Sequence, residues 1–261
     1  MSTALFTITP RQDGVVSLRI ASDDKPHMGP AWVDGFARAL GELGEDLAVR
    51  AVVLEGGRRY FSAGASREAL LGAETGEAIV QYASRAPAAL LALPVPAIAA
   101  VEGHGLGGGL LLGLWCDAAV LAEESLYGAN FMALGFTPGM GATFAVEEAF
   151  GVPLGRELLF TGRLLTGREI RAAACPLSHA VRPRVEVRDR ALALAYEMAE
   201  APRPALVLLK ETVAARRREA LIRALDAERA NHARLFADAR TSQEIARRYA
   251  TSRVPREGNA S

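Results

Sequence analysis

Two short turns rich in glycine constrain the fold of this chain more than any other feature. The turns are Phe61–Ala65 and Gly103–Gly109, and they follow apolar, strand-like runs at Ala51–Leu54 and Pro96–Val101. Helix-compatible sequence follows each turn. Small residues let a ligand approach the backbone, and a helix that begins there presents unpaired N–H groups at the positive end of its dipole. Two such turns can direct two N–H donors at one oxygen, as stabilisation of an enolate formed from a thioester requires.

The second turn also fits a dinucleotide-binding motif. Gly103, Gly105 and Gly108 have the spacing G-x-G-x-x-G, and Glu123 and Glu124 follow at about the distance of a ribose-binding acid. This interpretation leaves the first turn without a role. It therefore remains a secondary hypothesis, beside the one in which the glycines serve packing alone.

The composition limits the class of protein. Half of the residues are hydrophobic and the formal net charge is zero, which favours a sizeable core and argues against a nucleic-acid or membrane-surface partner. No apolar run has membrane-spanning length, the first residues do not resemble a signal peptide, and two cysteines are too few for a disulfide framework. We therefore expect a cytoplasmic protein with reduced thiols, in which Cys116 is buried and structural. No metal is predicted, because no His or Cys cluster has ligand spacing.

Hydrophobic periodicity predicts strands in the first half of the chain and mainly helices after Thr143. Two strand–turn–helix units are predicted around the glycine turns. Late helices are predicted over residues 205–217, 218–236 and 241–249.

Taken together, the motifs resemble the crotonase (enoyl-CoA hydratase/isomerase) superfamily. The residues that carry the resemblance are Phe61–Ala65, Ala100–Gly109, Cys116-Asp117 and Phe136–Gly139. The resemblance extends from about residue 5 to residue 249. It implies an α/β fold with a ββα spiral core over residues 1–200, a C-terminal helical region for trimerisation and the active site over 201–250, and a disordered tail over 251–261.

The resemblance also assigns roles to the turns. It implies that the N–H groups of Ala65 and Gly108 are the oxyanion donors, with Gly64 and Gly107 contacting the substrate beside them. No cofactor is implied, because the substrate is itself carried as a phosphopantetheine or CoA thioester.

Ordinary hydration does not fit this chain. Hydratases of the superfamily use two glutamates, and the matching positions here are Leu111 and Phe131. Neither side chain can transfer a proton, so we expect both to line the substrate site instead.

One branch of the superfamily matches in more detail, namely the second enoyl-CoA-hydratase-like enzyme of polyketide β-branching. The matching segments are 66–70, 103–104, 127–132 and 135–143. Members of that branch decarboxylate 3-methylglutaconyl on an acyl carrier protein. The resemblance implies a general acid–base at His232, on the last long helix. Glu228, one turn earlier, could orient or charge the ring, and the alternative is a core histidine satisfied by Glu228 or by a backbone carbonyl.

The chain departs from that branch at one position. Its decarboxylases carry a lysine, sometimes with a tyrosine, after the first turn, and residues 66–77 contain neither. The nearest cations are Arg67 and Arg85 and the nearest phenol is Tyr82, so Arg67 and Tyr82 are candidates for substrate binding. Glu77 in the lysine position would repel a carboxylate and would suit a base that shifts the double bond of an uncharged enoyl thioester.

The leading hypothesis is therefore decarboxylation of a glutaconyl-type thioester on an acyl carrier protein. The alternatives are an α,β/β,γ double-bond isomerase, a fatty-acyl-CoA lyase or isomerase outside polyketide synthesis, and a non-catalytic acyl-thioester binding protein. The resemblance further implies a homotrimer or hexamer. Apolar positions that favour such an assembly lie in the late helices, at Leu206, Leu208, Leu209, Leu221 and Leu225.

Overall fold

The computed structural model describes residues 5–20, 27–65, 70–71 and 76–251. Its strands are β1 (Thr7–Pro10), β2 (Val15–Arg19), β3 (Ala51–Glu55), β4 (Tyr60–Ser62), β5 (Ala97–Val101), β6 (His104–Leu106), β7 (Ala118–Ala122), β8 (Leu126–Gly128), β9 (Leu165–Thr166) and β10 (Val181–Arg182). Its helices are α1 (Pro30–Glu45), α2 (Gly76–Ala92), α3 (Gly108–Leu114), α4 (Ala142–Phe150), α5 (Val152–Thr161), α6 (Gly167–Ala172), α7 (Arg184–Ala199), α8 (Arg203–Phe236) and α9 (Ala239–Thr251).

From β3 to β8, successive strands alternate between two sheets. The larger sheet has the order β1-β2-β3-β5-β7-β10 and the smaller has the order β4-β6-β8-β9. Each strand–turn–helix unit expected from the sequence therefore contains a second, short strand within its turn. Strands β3, β5 and β7 are parallel neighbours in the larger sheet, and β4, β6 and β8 are parallel neighbours in the smaller one. This arrangement confirms the predicted ββα spiral.

The larger sheet is covered on both faces, which explains why its central strands are apolar throughout. Every residue of β3 and β5 is buried. One face packs on α7 through a stripe at a spacing of four residues, made of Val187, Ala191, Ala195 and Ala199. These small side chains let the helix lie close to the sheet.

Helix α8 is a single helix of 34 residues, so the predicted division into 205–217 and 218–236 is wrong. The sequence across that division, Arg216-Arg217-Arg218-Glu219, contains no proline or glycine that would end a helix. Arg217 instead fastens the middle of α8 to the end of α3, since its Nη1 donates to Cys116 O at 2.9 Å. Burial raises the pKa of the Cys116 thiol to about 12, as befits a structural cysteine.

The structure describes the C-terminal region as far as residue 251. The proposed boundary at residue 200 falls just before α8, but the domain division itself stays a prediction. Residues 252–261 of the expected tail lie outside the described residues. Of the late leucines expected to need a partner, Leu206 and Leu221 are buried within the chain, whereas Leu208 and Leu209 are exposed. No helix in the described ranges is long and apolar enough to cross a membrane.

A buried ion pair holds α8 against the larger sheet. Lys210 Nζ lies 2.7 and 2.9 Å from the two carboxylate oxygens of Asp117, which also accepts the N–H of Ala97. We expect Lys210→Met to lower the free energy of unfolding by about 3 kcal/mol, because it leaves a carboxylate without its buried partner. Chemical denaturation measures the loss. The exposed control Arg216→Met on the same helix should stay within about 0.5 kcal/mol, and an equal loss in both variants would contradict this account.

Candidate active site

The two glycine turns face each other because β4 and β6 are parallel neighbours in the smaller sheet. Gly64 has a φ of 75°, in the left-handed region. A Cβ on Gly64 would lie 2.8 Å from Leu106 O and 3.0 Å from Gly108 N. The first turn can therefore approach the N–H of Gly108 only if residue 64 is a glycine. The structure thus places the turn of Ala65 beside the N–H of Gly108, and their role as oxyanion donors stays a prediction.

Helix α3 begins at the second turn, and its first N–H groups have no intrahelical acceptor. The N–H of Gly107 donates to Gly128 O at 2.8 Å, and the N–H of Leu111 donates to Gly107 O at 3.2 Å. Gly107 is left-handed, with a φ of 53°, and a Cβ on it would lie 3.1 Å from Asn130 Oδ1. The backbone at this helix start is thus the positive end of a short, wholly buried helix.

Two methionines lie against Gly108, and no sequence pattern indicated either of them. A Cβ on Gly108 would lie 2.8 Å from Met140 Sδ, 3.3 Å from Met28 Sδ and 3.7 Å from Gly64 Cα. Met28 is fastened to the first turn, because its N–H donates to Gly64 O at 2.8 Å. Two flexible thioethers therefore border the space beside Gly108.

The positions of the hydratase glutamates lie close to this space. Leu111 is fully buried within α3. Phe131 has ring atoms 4.0 Å from the Cβ position of Gly107 and packs edge to face against Phe136 at 5.6 Å between ring centroids. Phe131 is thus an apolar neighbour of the second turn, and the structure brings no proton-transfer group to either position.

The other predicted substrate contacts stay predictions. Tyr82 belongs to α2, and burial, followed by the charge of Asp34 on α1, raises its pKa to about 12. Asp34 forms an ion pair with Arg85 beside it. Arg67 and the side chain of Glu77 lie outside the described residues, so their roles stay predictions.

His232 lies on α8 with only 1% of its surface exposed. Its Nε2 is 2.7 Å from Thr137 O, and because a carbonyl only accepts, Nε2 must carry the proton. Nδ1 is then the basic nitrogen of the neutral ring, and within the described part of the chain it has no hydrogen-bond partner. Burial lowers the pKa of His232 below its ordinary value, although the bond to Thr137 opposes this shift. The Cε1 atom lies 3.3 Å from the Cβ position of Gly139.

Glu228 forms no hydrogen bond with His232, although the helical spacing suggested one, so that expectation is wrong. Its Oε2 accepts the N–H of Gly141 at 2.8 Å, and its Oε1 accepts the N–H and hydroxyl of Thr143 at 3.2 and 3.0 Å. Residues one helical turn apart are neighbours, but the segment from Gly141 to Thr143 supplies the donors for both carboxylate oxygens of Glu228. Burial raises the pKa of Glu228 to about 7 against these hydrogen bonds.

Tyr249, on α9, is a site residue that the sequence analysis missed. Its hydroxyl donates to Ala65 O at 2.8 Å, which joins the C-terminal helix to the first turn. No motif surrounds it, and its partner is 184 positions away in the chain.

We expect Tyr249→Phe to lower turnover about fivefold, since losing a hydrogen bond worth about 1 kcal/mol loosens the Ala65 turn. Steady-state assays on a thioester substrate measure the effect. The matched change Tyr196→Phe on α7 should leave the rate unchanged. Equal rates for both variants would mean that Tyr249 does not hold the turn in its active geometry.

No lysine of the described residues is available to this site. The chain has two lysines, Lys25 and Lys210. Lys25 lies outside the described residues, and Lys210 is committed to Asp117. Among the residues that the structure places, no group of three or more His, Cys, Asp or Glu side chains could hold a metal ion, and the absence of a cofactor stays a prediction.

Comparison with known proteins shows that most of the chain is similar to members of the expected family. The sequence profile of the enoyl-CoA hydratase/isomerase family matches residues 12–256. The bacillaene synthase decarboxylase PksI of Bacillus subtilis is 36% identical over 223 residues, which cover 84% of this chain and 88% of that protein.

Solved structures agree with this placement. One, described as a dehydratase/decarboxylase enzyme couple involved in polyketide β-branching, has a TM-score of 0.87 and 31% identity, covering 96% of this chain and all of the other. The ECH2 decarboxylase domain of CurF from Lyngbya majuscula has a TM-score of 0.83 and 29% identity, covering 94% of this chain and 99% of that domain. The crotonase fold and the resemblance to β-branching decarboxylases are thereby confirmed.

Proposed function

Because the chain belongs to the enoyl-CoA hydratase/isomerase family, we propose that it decarboxylates a glutaconyl-type thioester on an acyl carrier protein during polyketide β-branching. The observation that carries this proposal is the pairing of facing glycine turns with a buried histidine, in a chain similar throughout to proteins named as decarboxylases. The apolar residues Leu111 and Phe131 support the same choice, because hydration would need carboxylates there.

In the proposed reaction the thioester oxygen accepts hydrogen bonds from the N–H groups of Ala65 and Gly108. The bond between the γ-carbon and the carboxylate breaks, CO₂ leaves, and the electron pair moves into a dienolate whose oxygen carries the charge. One proton must then be added to carbon. His232 supplies it from Nδ1 as the imidazolium, because Nε2–H is committed to Thr137 O. The neutral ring recovers its proton from solvent, so the cycle consumes one proton for each CO₂.

The second candidate is a double-bond isomerase, and the lack of an available lysine among the described residues favours it. An isomerase needs no cation for a departing carboxylate, and Glu77 would serve as its base. Incubation with 3-methylglutaconyl and 3-methylcrotonyl thioesters of a carrier protein, in D₂O, separates the two. CO₂ release from the first supports the decarboxylase. Deuterium exchange into the second without any CO₂ release from the first would replace it with the isomerase, and binding without either reaction would leave only a thioester-binding protein.

We also propose that the protein forms a homotrimer or hexamer. The supporting observation is an exposed apolar patch on α8, where Leu208, Leu209 and Val213 are 65%, 62% and 45% exposed. Exposed patches of this kind often mark an interface between chains. We expect light scattering at micromolar concentration to give the mass of at least three chains. The double change Leu208→Asp and Leu209→Asp should lower that mass, because it places charges in the interface. A monomeric wild-type protein would refute the proposed assembly.

A further inference from the structure

The segment from Thr137 to Thr143 contains a strained turn beside the predicted oxyanion donors. Met140 has a φ of 61° and Gly141 has a φ of 71°, so two successive residues are left-handed and one of them is not glycine. Such a conformation is unfavourable for a residue with a side chain and persists only when surrounding contacts hold it. This turn carries the sulfur that lies 2.8 Å from the Cβ position of Gly108.

Three buried side chains hold the segment. Glu228 accepts from the N–H of Gly141 and from Thr143, while His232, one helical turn further along α8, holds Thr137 O. Trp115 holds the middle, because its Nε1 donates to Met140 O at 2.8 Å. Helix α8 therefore binds both ends of the segment, through the carboxylate of Glu228 and the imidazole of His232.

Glu228 is an unusual group to bury for packing alone. It is 2% exposed, and in the described residues no lysine, arginine or histidine forms an ion pair with it. Burying a carboxylate is costly unless hydrogen bonds compensate, and here its bonds go to the turn and to the first residues of α4. If Glu228 served only to cap the N-terminus of α4, it would stabilise the fold. That role would not need a strained turn beside the predicted oxyanion donors.

We propose that Glu228 is a positioning residue for the reaction: its carboxylate fixes the Met140–Gly141 turn and thereby sets His232 relative to the Ala65 and Gly108 N–H groups. This inference rests on the proposed function for its catalytic consequence. Physically, the dienolate can accept a proton at more than one carbon, and a fixed acid selects one of them. Loosening the turn should slow the reaction and allow protonation at more than one carbon.

Glu228→Gln tests the inference, because an amide has one acceptor oxygen and turns its NH₂ group towards an N–H donor. We expect kcat to fall about 10–100-fold, the effect of misplacing a reacting group by about 1 Å, with KM changed less than about threefold. The product should become a mixture of double-bond isomers. Glu219→Gln, an exposed change on the same helix, should behave as wild type.

A second readout needs no substrate. In a Trp32→Phe background, the emission of Trp115 reports on the turn directly, because a Cβ on Gly141 would lie 2.7 Å from its ring. Glu228→Gln should shift this emission in protein that remains folded. Glu219→Gln, the exposed change on the same helix, should leave both the emission and the isomer ratio unchanged. Should Glu228→Gln fail to fold, Thr143→Val removes one of the donors and should give a smaller change in the same direction.

Unchanged Trp115 emission together with a single product isomer in folded Glu228→Gln would overturn the inference. A wild-type protein that releases no CO₂ would instead end the proposed function. In that case deuterium exchange into the 3-methylcrotonyl thioester replaces CO₂ release as the assay, and unchanged emission and exchange in Glu228→Gln would still overturn the inference.

Discussion

Gly108→Val is expected to lower turnover by about 10²–10³-fold or more, comparable to the loss of an oxyanion donor. The reason is steric. The first added carbon already lies 2.8 Å from Met140 Sδ and 3.3 Å from Met28 Sδ, and the valine methyl groups extend into the space that the thioester must enter. Backbone strain does not contribute, because Gly108 is absent from the left-handed residues of the described chain.

Steady-state turnover of a carrier-bound thioester measures this loss, and circular dichroism with thermal unfolding checks the fold. Gly113→Ala is the matched control on the same helix, because its Cβ would make ordinary contacts of 3.4 Å with Val101 and 3.8 Å with Ala99. It should fold and turn over normally. A Gly108→Val protein with normal rates would remove Gly108 from the site.

His232→Ala is expected to lower the rate by about 10²–10⁴-fold, the range for a positioned acid–base. Substrate binding should change little, because the pantetheine arm and the carrier surface supply most of the contacts. His179→Ala, an exposed histidine that contacts Pro176 O, is the control and should retain full activity. If Glu77 is the working base, Glu77→Gln will be the damaging change and His232→Ala will be mild.

The pH dependence gives a further check on His232. Burial lowers the pKa of His232 below its ordinary value, so the free enzyme holds the imidazolium at lower pH than an exposed histidine would. If that form donates the proton, kcat/KM should fall as pH rises through the lowered pKa. The carboxylate of the bound substrate stabilises the cation, so the fall in kcat, which reports the enzyme–substrate complex, should come at higher pH. A profile of the wild type without this limb would contradict protonation by His232.

The order of the apolar runs and the positions of glycine determined a large part of this fold. Both turns lie at the ends of strands and face one another as expected, and His232 is buried on a late helix. The backbone carbonyl that the sequence allowed as its partner is Thr137 O. These features follow from local rules: glycine permits a close approach of backbones, and periodicity tells which side of a helix is buried.

Contacts between distant segments were decided only by the tertiary structure. Glu228 binds Gly141 across 87 positions, and Tyr249 binds Ala65 across 184. Periodicity placed Glu228 near His232, yet a carboxylate turns to whichever unpaired N–H groups its fold presents, and the start of α4 offered them. Likewise, no local sequence pattern indicated that the side chains of Met28 and Met140 lie against Gly108. The sequence by itself determined where two glycine turns come close together, whereas packing decided which side chains surround them, because that depends on which distant segments fold back onto the turns.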